Sequence, residues 1–125
     1  MRRVIIIATG LVIAILAACD KYTIPTPPCE DGAENVSFSG DLQPIFNSNC
    51  ISCHSGGQSP DLREGWSYDE LVNGVSSTGE PYVAEPEFAC ESILYQVFFG
   101  SHDGRASDDE ILQILGWIQE GAQDN

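Results

Sequence analysis

Two cysteines three residues apart, with a histidine directly after the second, constrain this chain more than any other feature: Cys50-Ile51-Ser52-Cys53-His54. In a helical turn, positions i, i+3 and i+4 share a face, so two sulfurs and one imidazole can address a single flat ligand. That spacing is the pattern of covalent haem c attachment: thioethers from Cys50 and Cys53, and the His54 ring as an axial ligand to iron. Cys-x-x-Cys alone also fits half a zinc site or a thiol redox pair. Zinc wants about four ligands, and the redox reading wants a strand-helix-strand setting that this sequence does not suggest.

The start of the chain bears on which cysteines remain available. Residues 1–18 have a basic opening, Arg2 and Arg3, then an apolar run from Val4 to Leu16 and small residues, the anatomy of a secretory signal peptide. The run ends in Leu16-Ala17-Ala18-Cys19, which resembles a bacterial lipoprotein box and makes Cys19 the expected lipidation site. An ordinary secretory signal or an uncleaved anchor remains the alternative. The expectation is an exported chain, held by lipid at the periplasmic or outer side of a bacterial membrane. With Cys19, Cys50 and Cys53 assigned, Cys29 and Cys90 are left as a candidate disulfide in an oxidising compartment, with free thiols or pairing to another chain as alternatives.

Charge excludes one class of function. Removal of the signal leaves Lys21, Arg63 and Arg105 against 19 acidic residues, a balance that repels nucleic acid. It suits a partner protein with a basic docking face, and equally suits solubility outside the cell. Residues 19–35, with Pro25, Pro27 and Pro28, are expected to be a tether between the lipidated cysteine and a domain over residues 36–125.

The domain reads as all-α, with about four short helices. The first is expected to be capped by Asp41, to carry Leu42, Ile45 and Phe46 on one face, and to run into the motif near Asn49. After His54 a Gly/Ser-rich turn leads to Pro60, Asp61 and Leu62, candidates to line the proximal side and to offer a backbone carbonyl to the His54 Nδ1–H. Ser67-Tyr68-Asp69-Glu70 predicts a capping box, with Trp66 stapled to Leu71 and Gly74 as the stop. A loop over residues 75–89 looks like cover for a ligand edge, or a plain connector. A third helix is expected to open at Cys90 or Glu91 and carry Ile93, Leu94, Val97 and Phe98 up to Gly100. The last repeats the capping box at Ser107-Asp108-Asp109-Glu110, buries Ile111, Ile114, Leu115 and Ile118, and stops at Gly121.

With these pieces placed, residues 36–125 resemble a class I monohaem cytochrome c domain of a bacterial lipoprotein. The resemblance rests on Cys50 to His54, on Asp41-Leu42-Gln43-Pro44-Ile45-Phe46, on Ser92-Ile93-Leu94-Tyr95, and on Glu110-Ile111 with Trp117-Ile118-Gln119-Glu120-Gly121-Ala122. It implies a small cytochrome c fold around one covalent haem c, with first and last helices crossing so that Phe46 lies near Trp117. It also implies a non-enzymatic electron carrier serving redox partner proteins. The family usually takes a distal methionine from the loop before the last helix. The only methionine here is Met1, and that loop contains His102. His54/His102 ligation is therefore expected, against a solvated His102 beside an open sixth position. The open-site alternative would make the chain a gas-binding haem protein or weak peroxidase; a further alternative is a fixed cytochrome subunit of a respiratory complex. So small a body needs its cofactor as a staple, and the haem-free chain is expected to be largely disordered. Native helicity and cooperative melting in a haem-free Cys50→Ala, Cys53→Ala variant would overturn that expectation.

Overall fold

Ser37 starts the first helix, because its hydroxyl accepts from the Gly40 N–H at 3.1 Å while the Asp41 carboxylate accepts from the Ser37 N–H at 2.8 Å. The computed structural model describes residues 29–125. Asp41 thus closes a cap one turn earlier than the sequence suggested, and is not the cap itself. A π turn, Phe38–Leu42, leads into α1, Gln43–Asn49. Proline lacks an N–H and crowds the carbonyl four residues back. The wider turn, with Gln43 N–H bonded to the Phe38 carbonyl, lies just ahead of Pro44 and accommodates it.

The Cys50–His54 segment continues α1 as one further turn. The amides of Cys53 and His54 both donate to the Cys50 carbonyl, at 3.1 and 3.0 Å. The chain then loops to α2, Ser67–Val72, where the predicted capping box is absent. Ser67 is buried and its hydroxyl donates to Gln43 Oε1 instead. Trp66 occupies the cap position but is 60% exposed, so the expected staple is not formed, although Leu71 is fully buried.

The stretch over residues 75–89 is held by an isolated antiparallel bridge between Val75 and Pro81, and it ends in a 3₁₀ turn, Pro86–Glu91. The third helix, α3, covers Ile93–Gln96 and tightens into a 3₁₀ turn at Val97–Phe99. It begins later than the expected Cys90 or Glu91 because Ser92 is extended, with its buried hydroxyl accepting from the Ala84 amide at 2.9 Å. The last helix, α4, spans Asp108–Gln119 with the predicted capping box complete. Gly121, at φ 91°, stops it: Gly121 N–H bonds to the Ile118 carbonyl and Ala122 N–H to that of Trp117, the reciprocal pair of a Schellman motif. Among the described residues there is no strand, and the architecture is helical.

Phe38 joins the first and last helices. Its ring lies 6.1 Å from Phe46, 5.2 Å from Trp117 and 5.1 Å from Tyr68, so the expected approach of Phe46 to Trp117 is mediated by an intervening aromatic. The expected tether boundary at residue 35 does not mark the edge of packing. Residues 29–36 form a strap along α4: Ala33 N–H donates to the Leu112 carbonyl, Gly32 N–H to Gln119 Oε1, and Asn35 and Val36 amides to the Glu120 carboxylate. Close approach requires glycine on both sides, since a methyl on Gly32 would run into the Gly116 backbone. The strap ends at the Cys29–Cys90 disulfide, with Cα atoms 5.6 Å apart.

Residues 1–18, Cys19 and the tether before Cys29 lie outside the described residues. No helix among the described residues is long and apolar enough to cross a membrane.

Candidate functional site

The motif turn, the loop over residues 55–62, α2, the bridged loop and the segment from Ile93 to Arg105 enclose a cavity of about 700 Å³. Phe46, Leu62, Leu71, Leu94, Val97 and Phe98 make much of its wall apolar. Its volume is in the range of cofactor and small-ligand sites. Cys50, Cys53, His54, Pro60, Leu62 and His102 all face this one cavity, although the first and last are separated by half the described chain.

His54 is nearly buried, and its Nδ1 lies 3.0 Å from the carbonyl oxygen of Pro60, one of the three residues the sequence offered for that contact. A carbonyl can only accept, so this contact puts the ring proton on Nδ1 and leaves the Nε2 lone pair for a ligand. The loop carrying Pro60 is closed by Leu62 N–H donating to the His54 carbonyl at 2.8 Å. Just after it, Arg63 reaches back to Asp61 at 2.5 Å and holds the Asp61 carboxyl below the usual carboxylate range.

His102 projects from the loop before α4. Its amide donates to the Val97 carbonyl at 2.8 Å and its Nδ1 lies 2.8 Å from Ser101 Oγ. Partial burial, reinforced by neighbouring His54 and Arg105, lowers its pKa and favours the neutral, metal-binding form. The two imidazole rings stand with centres 6.0 Å apart and planes inclined by 32°. One metal bound at about 2 Å by a nitrogen of each ring would set the centres roughly 6 Å apart. The pair could therefore hold one metal ion between them.

Cys50 and Cys53 are unpaired, the first half-buried and the second exposed. Burial, and then the Glu110 carboxylate, push the Cys50 thiol up. Cys50 also terminates α1, where the helix dipole is negative. A redox-active thiol pair uses a stabilised thiolate, commonly at a helix N-terminus, so this setting disfavours that use. A closed zinc site is also unsupported: among the described residues no group of three or more His, Cys, Asp or Glu side chains gathers to hold a metal ion. Two thiols at the cavity edge, two neighbouring imidazoles and apolar walls suit a flat, largely apolar ligand with a central metal.

Sequence reasoning missed several parts of this site. Tyr82, whose hydroxyl lies 3.3 Å from Ser59 Oγ, comes from an aperiodic loop and carried no signal. Leu71 was legible as a core residue, but not as cavity wall. Gln43 was legible only as part of a string of residues, whereas it is buried and hydrogen-bonded to three other segments or side chains. The chain matches no family model, no curated protein and no solved structure.

Proposed function

We propose that this protein is a c-type cytochrome of the small, all-helical kind, exported and lipid-anchored through Cys19, which carries single electrons between redox proteins and transforms no substrate. The observation that carries the reading is the pair of imidazoles, His54 and His102, with ring centres 6.0 Å apart beside two unpaired thiols in one cavity. Cys50 and Cys53 would hold haem c as thioethers, and His54 and His102 would bind its iron. When bound, the haem supplies an iron that gains or loses one electron.

The chain's own residues do the rest. Pro60 keeps the His54 proton on Nδ1 and raises the basicity of the opposite nitrogen. Val97 holds the backbone of His102, and Ser101 meets its Nδ1, which leaves Nε2 for a ligand. Leu62, Leu71, Leu94 and Phe98 give the cavity apolar walls, which would shield a bound haem from water. The surplus of acidic side chains would steer a basic partner toward the protein.

Mass spectrometry of the mature protein tests attachment: a mass without haem refutes the proposal. Electron paramagnetic resonance of the ferric protein tests the ligands. A low-spin bis-imidazole signal is expected, turning high-spin in His102→Ala. A high-spin wild type whose ferrous form readily binds carbon monoxide would favour the open-site alternative.

A further inference from the structure

Gln43 is 6% exposed, and each part of its amide is used. Its Nε2 donates to the Leu62 carbonyl at 3.0 Å and to Asn47 Oδ1 at 2.9 Å, and its Oε1 accepts from the buried Ser67 hydroxyl. One side chain from α1 thereby ties the start of α2 to the loop that follows His54. Leu62 is the hinge point of that loop, since its N–H donates to the His54 carbonyl while its own carbonyl receives Gln43. Pro60, two residues earlier, presents the oxygen that meets His54 Nδ1.

From this chain of bonds we propose that Gln43 is a positioning residue for the proximal histidine: by holding Leu62, it holds the Pro60 carbonyl against His54 Nδ1 and so sets the donor strength of the ring. The inference rests on the haem reading above. A buried glutamine with three satisfied bonds could also be simply a core tie, as Ser67 is. The distinction lies in what each bond touches. The Ser67 hydroxyl joins Gln43 to α2 and reaches no part of the proximal loop, whereas the donor to Leu62 bears directly on it. Hydrogen bonding to the far nitrogen raises the basicity of an imidazole ligand, and a more basic ligand favours ferric over ferrous iron. Releasing the loop should therefore raise the reduction potential.

The test compares holoprotein variants by potentiometry and by exchange of the His54 Nδ1 proton in nuclear magnetic resonance. Gln43→Met keeps length and neutrality but removes the donor; an upward shift in potential and faster Nδ1–H exchange are expected. Ser67→Ala keeps the donor, and should lower the melting temperature with the potential unmoved. A haem-loaded Gln43→Met with wild-type potential and exchange overturns the inference, as does an equal shift in Ser67→Ala. If Gln43→Met does not accumulate, the wild-type holoprotein decides: Gln43 amide protons protected from exchange support the tie, and exchange at the rate of a free amide overturns it. Haem content of the wild type is measured first. Its absence refutes the functional proposal, whereas a loaded wild type with an unmoved Gln43→Met refutes only the role of Gln43.

Discussion

Gly116→Ala sets two effects of opposite sign against each other. Gly116 lies inside α4, where alanine is favoured over glycine by about 1 kcal/mol, so helix propensity alone predicts a more stable protein. Packing predicts the reverse. A methyl on Gly116 would run into the Ala33 carbonyl oxygen and lie 2.7 Å from the Ala33 nitrogen, both backbone atoms that cannot rotate away. The strap must lift, and lifting strains or breaks the Ala33 to Leu112 bond at 2.9 Å, the Gly32 to Gln119 bond at 2.8 Å and the Gln119 to Glu30 bond at 3.1 Å. At about 1 kcal/mol net for each hydrogen bond, their loss comes to roughly 3 kcal/mol. Overpacking adds about 1–3 kcal/mol if the strap resists. After the propensity gain, the net effect is a loss of about 2–5 kcal/mol, or a fall in melting temperature of roughly 10–25 °C for a domain of this size. Thermal melting of the protein by circular dichroism, with urea titration beside it, measures this. A variant as stable as wild type, or more so, would refute the reasoning, because the strap would then contribute less than one helical glycine costs.

Two further outcomes follow from the same contacts. Cys90→Ser opens a covalent loop with sequence separation 61 and should reduce stability by about 4 kcal/mol in urea titrations; an unchanged midpoint would mean that the strap is held without the bridge. Glu110 has its carboxyl held below the usual range, first by the Ser107 amide and further by the Ser107 hydroxyl and Asn49. Its folded pKa is thus lower than its unfolded one, so its contribution is fully present above the ordinary carboxylate range and is lost as pH falls through the folded value. Glu110→Gln should accordingly flatten the acid limb of the stability curve, and an acid limb identical to wild type would contradict this.

What could be read from the chain alone was whatever is settled among residues a few positions apart. The Cys50–His54 turn, the Ser107 capping box and the Gly121 stop depend on bonds spanning three to five residues, and each formed as its local pattern predicted. The Pro60 carbonyl reached His54 for the same reason, through a loop too short to place it far away. Ser67 and Ser107 mark the limit of this legibility. Both begin a Ser-x-x-Glu pattern, yet only Ser107 caps, because it is exposed and nothing competes for its hydroxyl. Ser67 is buried against α1, where the Gln43 amide claims it, and burial against a residue 24 positions away is invisible in the local pattern. Residues 29–35 resembled a tether by composition, but the bare backbone of Gly116 gives them a surface to lie on. The meeting of His54 with His102 was likewise decided only in three dimensions: the folded body brings two distant loops to one cavity, with ring centres 6.0 Å apart, a spacing that one metal ion can span.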